Sequence, residues 1–216
     1  YHPTQQNWVR SLQVVNAVNP LEAPAQLDLY RLMRETQALT QRDEFIRYIE
    51  AADPRIMSNE VLPVLAEAVA SGELEAGDNY YVEVKAIADA RAPQDRRDLE
   101  GLVREGRTGD GRLALSTGDL LWSVADFVRA EELYQVALDK GADRDTALTR
   151  LGMAQVKQGK FAEAQATLAQ VGGVRAGLTV DPDQFYFGGH LETSPLVDRL
   201  YFRPTLEVGF GDDLTL

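Results

Sequence analysis

The sequence predicts a mostly α protein: a solenoid of helical hairpins followed by a short C-terminal β-hairpin or extended tail. Three observations carry this. One pattern occurs twice between Gly111 and Gly177: Gly118, Phe127, Ala130 and Ala137, then Gly152, Phe161, Ala164 and Val171, with a constant offset of 34 positions. Upstream, apolar residues recur at three- and four-residue spacing in segments separated by short breaks, the period of amphipathic helices. After Gly177 the pattern changes to alternation, which is strand chemistry. The solenoid is therefore assigned to residues 1–177, with clear units at 111–144 and 145–177, and the β-rich tail to 178–216.

Each unit follows from its residues. In the second, Ala147, Leu148, Leu151, Met153 and Ala154 make the apolar face of a first helix. Gly152 and Ala164 are small where two helices approach. Gly159-Lys160 breaks the chain, Phe161 seals the turn, and Leu168 and Val171 continue a second helix that Gly172-Gly173 ends. In the first unit, Leu115, Gly118, Leu121 and Trp122 lead to a turn at Ala125-Asp126. Phe127, Ala130, Leu133, Tyr134, Ala137 and Leu138 follow, and Gly141 stops that helix. A lone hairpin cannot bury its own apolar face, so at least about three units stack.

The preceding chain supplies the neighbours as degenerate repeats. A short helix runs from Asn7 to near Asn19-Pro20, and a second, through Leu27, Leu29, Tyr30, Leu32 and Met33, ends near Ala38-Leu39. Thr40, with Asp43 three residues on, is the expected N-cap of a third, which stops before Asp53-Pro54. Asn59 is expected to cap the fourth, with Pro63 in its first turn and Gly72 at its end. Two partner helices, Asn79–Ala90 and Asp95–Glu105, precede a polar loop from Gly106 to Gly111.

Composition narrows the function. With 216 residues, 44% hydrophobic and 26% charged, the chain has the make-up of a soluble globular protein. Its net charge of −12 argues against nucleic acid and anionic membrane surfaces, since phosphates repel acidic faces. The absence of cysteine removes disulfides and thiolate metal sites and fits cytoplasm and periplasm equally. No apolar run approaches the roughly 18 residues of a spanning helix. Beginning at Tyr1, the chain reads as a fragment or a processed product.

The 34-residue units resemble tetratricopeptide repeats. Residues from Asn7 to about Ala176 resemble the C-terminal half of a family of secreted proteobacterial tetratricopeptide proteins. Asn7-Trp8, the run Gln26 to Met33, Thr36 to Leu39 and the Leu151-to-Val171 repeat carry that likeness. The resemblance implies a periplasmic location, and the tetratricopeptide likeness implies a groove lined by the first helix of each hairpin; the tail described next adds outer-membrane association. Carried over, the groove holds Arg112, Ser116, Asp119, Trp122 and Ser123 from the first unit. Thr149, Arg150, Met153, Val156 and Lys157 come from the second. Trp122 beside an arginine and a methionine either anchors a peptide or packs between adjacent repeats. Some family members grip a C-terminal carboxylate with paired Lys and Asn. Leu115 and Asp119 stand at those positions here, so that clamp is not carried over.

The tail from Phe185 to Leu216 resembles the opening strands of a bacterial outer-membrane barrel, through its alternating aromatic runs and the Gly209-to-Asp213 turn. A closed barrel needs about eight strands, so the tail is either a hairpin on the end of the solenoid or the start of a barrel. No catalytic constellation, cofactor motif or metal site is read: His2 and His190 are far apart, and Asp181/Asp183 and Asp212/Asp213 lack a ligand loop. The expectation is a non-enzymatic scaffold that binds a protein or peptide partner. The alternative is the periplasmic arm of an exporter barrel, associated with the outer membrane through the tail.

Overall fold

Hairpin follows hairpin in this chain because each helix has one face to bury and a short connection to its neighbour. The computed structural model describes residues 5–18 and 21–171, together with the backbone of 174–180, 183–190 and 205–210. The helices are α1 (Gln5–Val18), α2 (Ala23–Glu35), α3 (Arg42–Ala52), α4 (Ser58–Ala70), α5 (Asn79–Thr108), α6 (Gly111–Ser123), α7 (Phe127–Asp139), α8 (Arg144–Lys157) and α9 (Phe161–Leu168). Hairpins pair α2 with α3, α4 with α5, α6 with α7 and α8 with α9, and α1 leans on α2. The backbone of β1 (Val174–Val180), β2 (Asp183–His190) and β3 (Thr205–Phe210) pairs antiparallel in that order, Leu178 facing Phe185 and Phe187 facing Val208. The expected Gly172-Gly173 stop and Gly211-Asp212-Asp213 turn, and His2, lie outside the described residues.

Aspartates start the later helices. Asp110, Asp126 and Asp143 accept from the backbone N–H of Leu113, Arg129 and Thr146 at 2.8, 3.2 and 2.9 Å, satisfying donors that a helix start leaves orphaned. Gly141 and Gly159 end α7 and α8 with φ of +76° and +74°, where a side chain would be strained. Where α6 crosses α7, a Cβ on Gly118 would lie 2.5 Å from Tyr134 Cε1. Where α8 crosses α9, one on Gly152 would lie 2.6 Å from Leu168 Cγ. The repeated glycine is therefore a packing requirement, as its position in both units predicts.

Several expected boundaries are corrected. The two helices expected over Asn79–Ala90 and Asp95–Glu105 are one 30-residue helix that also absorbs Gly106, so the connection to α6 shrinks to Gly109-Asp110. Pro93 removes one backbone donor. The pairs Arg91–Asp95 and Gln94–Asp98, at 3.0 and 2.7 Å, span the same turn and support continuity. The third helix is capped by Gln41 with Glu44, not by Thr40 with Asp43; Glu44 accepts from the N–H groups of both Thr40 and Gln41. Asn59 lies inside α4, where it is buried and accepts from Arg96 Nε at 2.7 Å, and Met57 holds the N-cap position. The second helix stops at Glu35 because Gln37 turns to φ +56° and Ala38 N–H reaches back to Met33. Phe161 does not seal the second turn: it is 68% exposed, while α9 ends at Leu168, short of Val171.

Two apolar cores result. One gathers Leu12, Leu27, Tyr30, Met33, Tyr48, Ile49, Val61 and Leu65 from α1–α4, with Val84 and Ala88 of α5. The other begins at Leu99 and Val103 of α5 and takes in Ala114, Leu121, Leu133, Tyr134, Leu151 and Ala154. The long α5 belongs to both, which is why it cannot break where the sequence pattern suggested. At about 1.5 Å per residue it is about 45 Å long.

Candidate functional site

The first helices of the hairpins, α2, α4, α6 and α8, meet on the inner side of the stack, where α2 packs on α8 and α4 on α6. The meeting surface is polar. Arg31 of α2 is buried, and its Nε and Nη2 donate to the two carboxylate oxygens of Glu60, each at 2.8 Å. This is the planar fork geometry that suits guanidinium to carboxylate. Its Nη1 lies 3.4 Å from Asp119 and 3.5 Å from Asp28, and its guanidinium stacks over Trp122 at 5.0 Å. Arg150 of α8 joins the same acids from the other side, Nη1 to Asp119 at 2.6 Å and Nε to Asp28 at 3.0 Å. Tyr48 and Tyr134 donate their hydroxyls to Glu60 and Asp119 at 2.8 and 2.9 Å. At the rim, Lys157 reaches Glu35 at 2.5 Å.

Electrostatics follow from this packing. Burial works to raise the Glu60 carboxyl, and the Arg31 charge with the Arg31 and Tyr48 hydrogen bonds overcomes it, holding Glu60 below its ordinary range. Burial prevails at Asp28, which is raised despite Arg150 and Arg31. Burial and the neighbouring Asp119 carboxylate push the Tyr134 hydroxyl well up, so it stays a donor. Burial opposes the charge on Arg31, yet Glu60 and Asp119 keep it firmly protonated. Three carboxylates and two guanidiniums thus cross-link four helices across the two cores. Such a network contributes little net stability but penalises any other arrangement of its members.

The sequence-predicted groove residues divide sharply. Asp119, Trp122, Arg150 and Lys157 do converge, and what they face is α2 of the same chain. Trp122 packs edge-on against Phe127 across the helix turn, at 5.0 Å and 69°. Ser123 is buried, its hydroxyl donating to the Leu120 carbonyl at 2.9 Å, and Met153 is half-buried. Arg112 and Ser116 remain exposed, two turns and one turn before Asp119 on the same face of α6.

Asp28, Arg31, Glu60, Tyr48 and Tyr134 escaped the sequence reading. The available signal was in α2, where Asp28 and Arg31 stand at i and i+3 within a run that is buried from Leu27 to Met33 except at Leu32. A charged pair of that spacing ordinarily reads as a solvated helix face.

Residues 121–177 match the family model described as tetratricopeptide repeat. No curated protein and no solved structure matches the chain. With the helical hairpins that contain and precede the matched segment, the chain is a mostly helical, tetratricopeptide-repeat-like protein.

Proposed function

We propose that the protein is a non-enzymatic helical-repeat scaffold that holds a protein or peptide partner in the bacterial cell envelope. Tetratricopeptide repeats generally serve protein–protein interaction, and residues 121–177 match that family model. The observation that carries the reading is that the inner face of α6 and α8 already grips a helix, through Asp119, Arg150 and Lys157 on Asp28, Arg31 and Glu35. A partner then engages the part of this face that α2 leaves uncovered, beginning at Arg112 and Ser116. Photo-crosslinking residues placed at 112 and 116 in the native host test this. One crosslinked protein species is expected, binding the purified chain in calorimetry and weakened at least tenfold by Arg112→Glu. No species at either position overturns the reading.

A second reading is supported by the up-and-down order β1-β2-β3 after the repeats: the periplasmic arm of an outer-membrane exporter barrel. Heat-modifiable migration of the natural full-length product from an outer-membrane fraction supports it. Recovery only in the soluble envelope fraction sinks it.

A further inference from the structure

The two apolar cores meet at two places, along α5 and across the inner seam. α5 passes from one core to the other over residues 93–98, none of them buried; its buried residues stop at Ala92 and resume at Leu99. Two ties hold the start of this stretch to α4: Ser58 Oγ donates to Asp95 at 2.6 Å, and Arg96 Nε donates to Asn59 at 2.7 Å. Arg97 and Asp98 are exposed and bond back along the helix to Gln94, at 2.7 Å each. Gly101, one turn on, has open space where a Cβ would go. The first core therefore travels with α5 as far as Arg96, and the helix bends most easily just beyond, where a few residues absorb the change.

The seam is a join of a different kind. Among the described residues the two apolar cores share no member, and the pairs across the seam are charged. Asp28 meets Arg150, Arg31 meets Asp119 and the Trp122 ring, and Glu35 meets Lys157. A polar join between separately packed bodies is the kind that opens and recloses. On one side, α2 presents acid, base and acid at i, i+3 and i+7, which is one face of a helix. On the other, α6 and α8 present a base, an acid beside an indole, and a base. Leu27, Tyr30 and Met33 of α2 lie in the first core and stay there if the seam parts. A second helix with the same charge order would remake each of these pairs.

We propose that α2 is a resident competitor: the two bodies part by bending α5, and the bared face of α6 and α8 takes a partner helix that carries α2's own order of acid, base and acid. The inference rests on the scaffold reading above, since it concerns the same inner face, and it adds what the partner looks like and what holds it off. The probe is a dye-labelled, hydrocarbon-stapled peptide of residues 22–36, with a control in which the charges at 28, 31 and 35 are reversed. A tethered competitor has a high effective concentration, so weakening it should reveal the site. Asp28→Asn weakens α2's grip on Arg150 and leaves the face of α6 and α8 intact. The peptide is expected to bind this variant at least tenfold tighter than the parent, by fluorescence anisotropy, and the control to bind neither. Spin labels at the exposed positions 50 and 139 are expected to move apart as the peptide binds. The chain has no cysteine, so Glu35→Cys with Lys157→Cys can be joined by a bismaleimide, and this tie is expected to abolish binding. Failure of the peptide to bind the Asp28→Asn variant, equal binding of the control, an unchanged label distance, or binding that survives the tie overturns the proposal. Crosslinks at 112 and 116 report on the scaffold reading whether or not α2 gives way, so the two can fail separately.

Discussion

Glu60 carries the acid sensitivity of the seam. Its folded carboxyl lies below its ordinary value because Arg31 and Tyr48 outweigh burial. A depressed carboxylate contributes stability that is present above its unfolded pKa of about 4.3 and lost as pH falls through the lower folded value. Asp28 has the opposite sign: raised by burial, its contribution is full below its unfolded pKa and is lost as pH rises through the folded one. Glu60→Gln should lower stability at pH 7 by about 3 kcal/mol, since it strips the charge from a buried pair. Urea midpoints from pH 3 to 7 check this, with the variant and parent curves converging in acid. Parallel curves would show that Glu60 is not the titrating group. None of this was legible beforehand, because Arg31 and Glu60 stand 29 positions apart and each reads alone as a surface charge.

At the scale of helix pairs the sequence was most legible, because close approach leaves a mark on residue type. Gly118 and Gly152 stand where neighbouring side chains occupy the space a Cβ would need, so their repeat announced both crossings. Gly118→Ala forces the fully buried Tyr134 ring to move, and with it the hydroxyl bonded to Asp119. A loss of about 1–3 kcal/mol is expected. Gly101 in α5 has open space where its Cβ would go, so Gly101→Ala should gain about 0.5–1 kcal/mol. Opposite shifts of the urea midpoint check the pair. The reading failed where a tertiary demand overrode a local one. Pro93 and its neighbours look like a break, but both cores need α5 and keep it continuous. Phe161 matches Phe127 in sequence, but the packing differs: Phe127 meets Trp122, and Phe161 projects outward.

Among the described residues, the helical part of the molecule is two apolar cores joined by one shared helix and one polar seam. Loss of the seam should therefore loosen the joint before it loosens either core. Asp119→Ala removes acceptors from Arg31, Arg150 and Tyr134 together. Amide hydrogen exchange should accelerate in α2 and α8 while protection in α3 and α7 holds; uniform acceleration would show one cooperative unit instead. The succession of helical hairpins could be sketched from the repeat period, but not the meeting of α2 with α8, since no local pattern encodes contacts 122 residues apart. That meeting also sets a length. An open array of hairpins tolerates one more copy anywhere, because each unit touches only its neighbours. Here Asp28 and Arg150 work as the two jaws of a caliper closed on the intervening hairpins. Duplicating α6–α7 would carry Arg150 out of reach, so the stretch from α2 to α8 is gauged to the hairpins it holds.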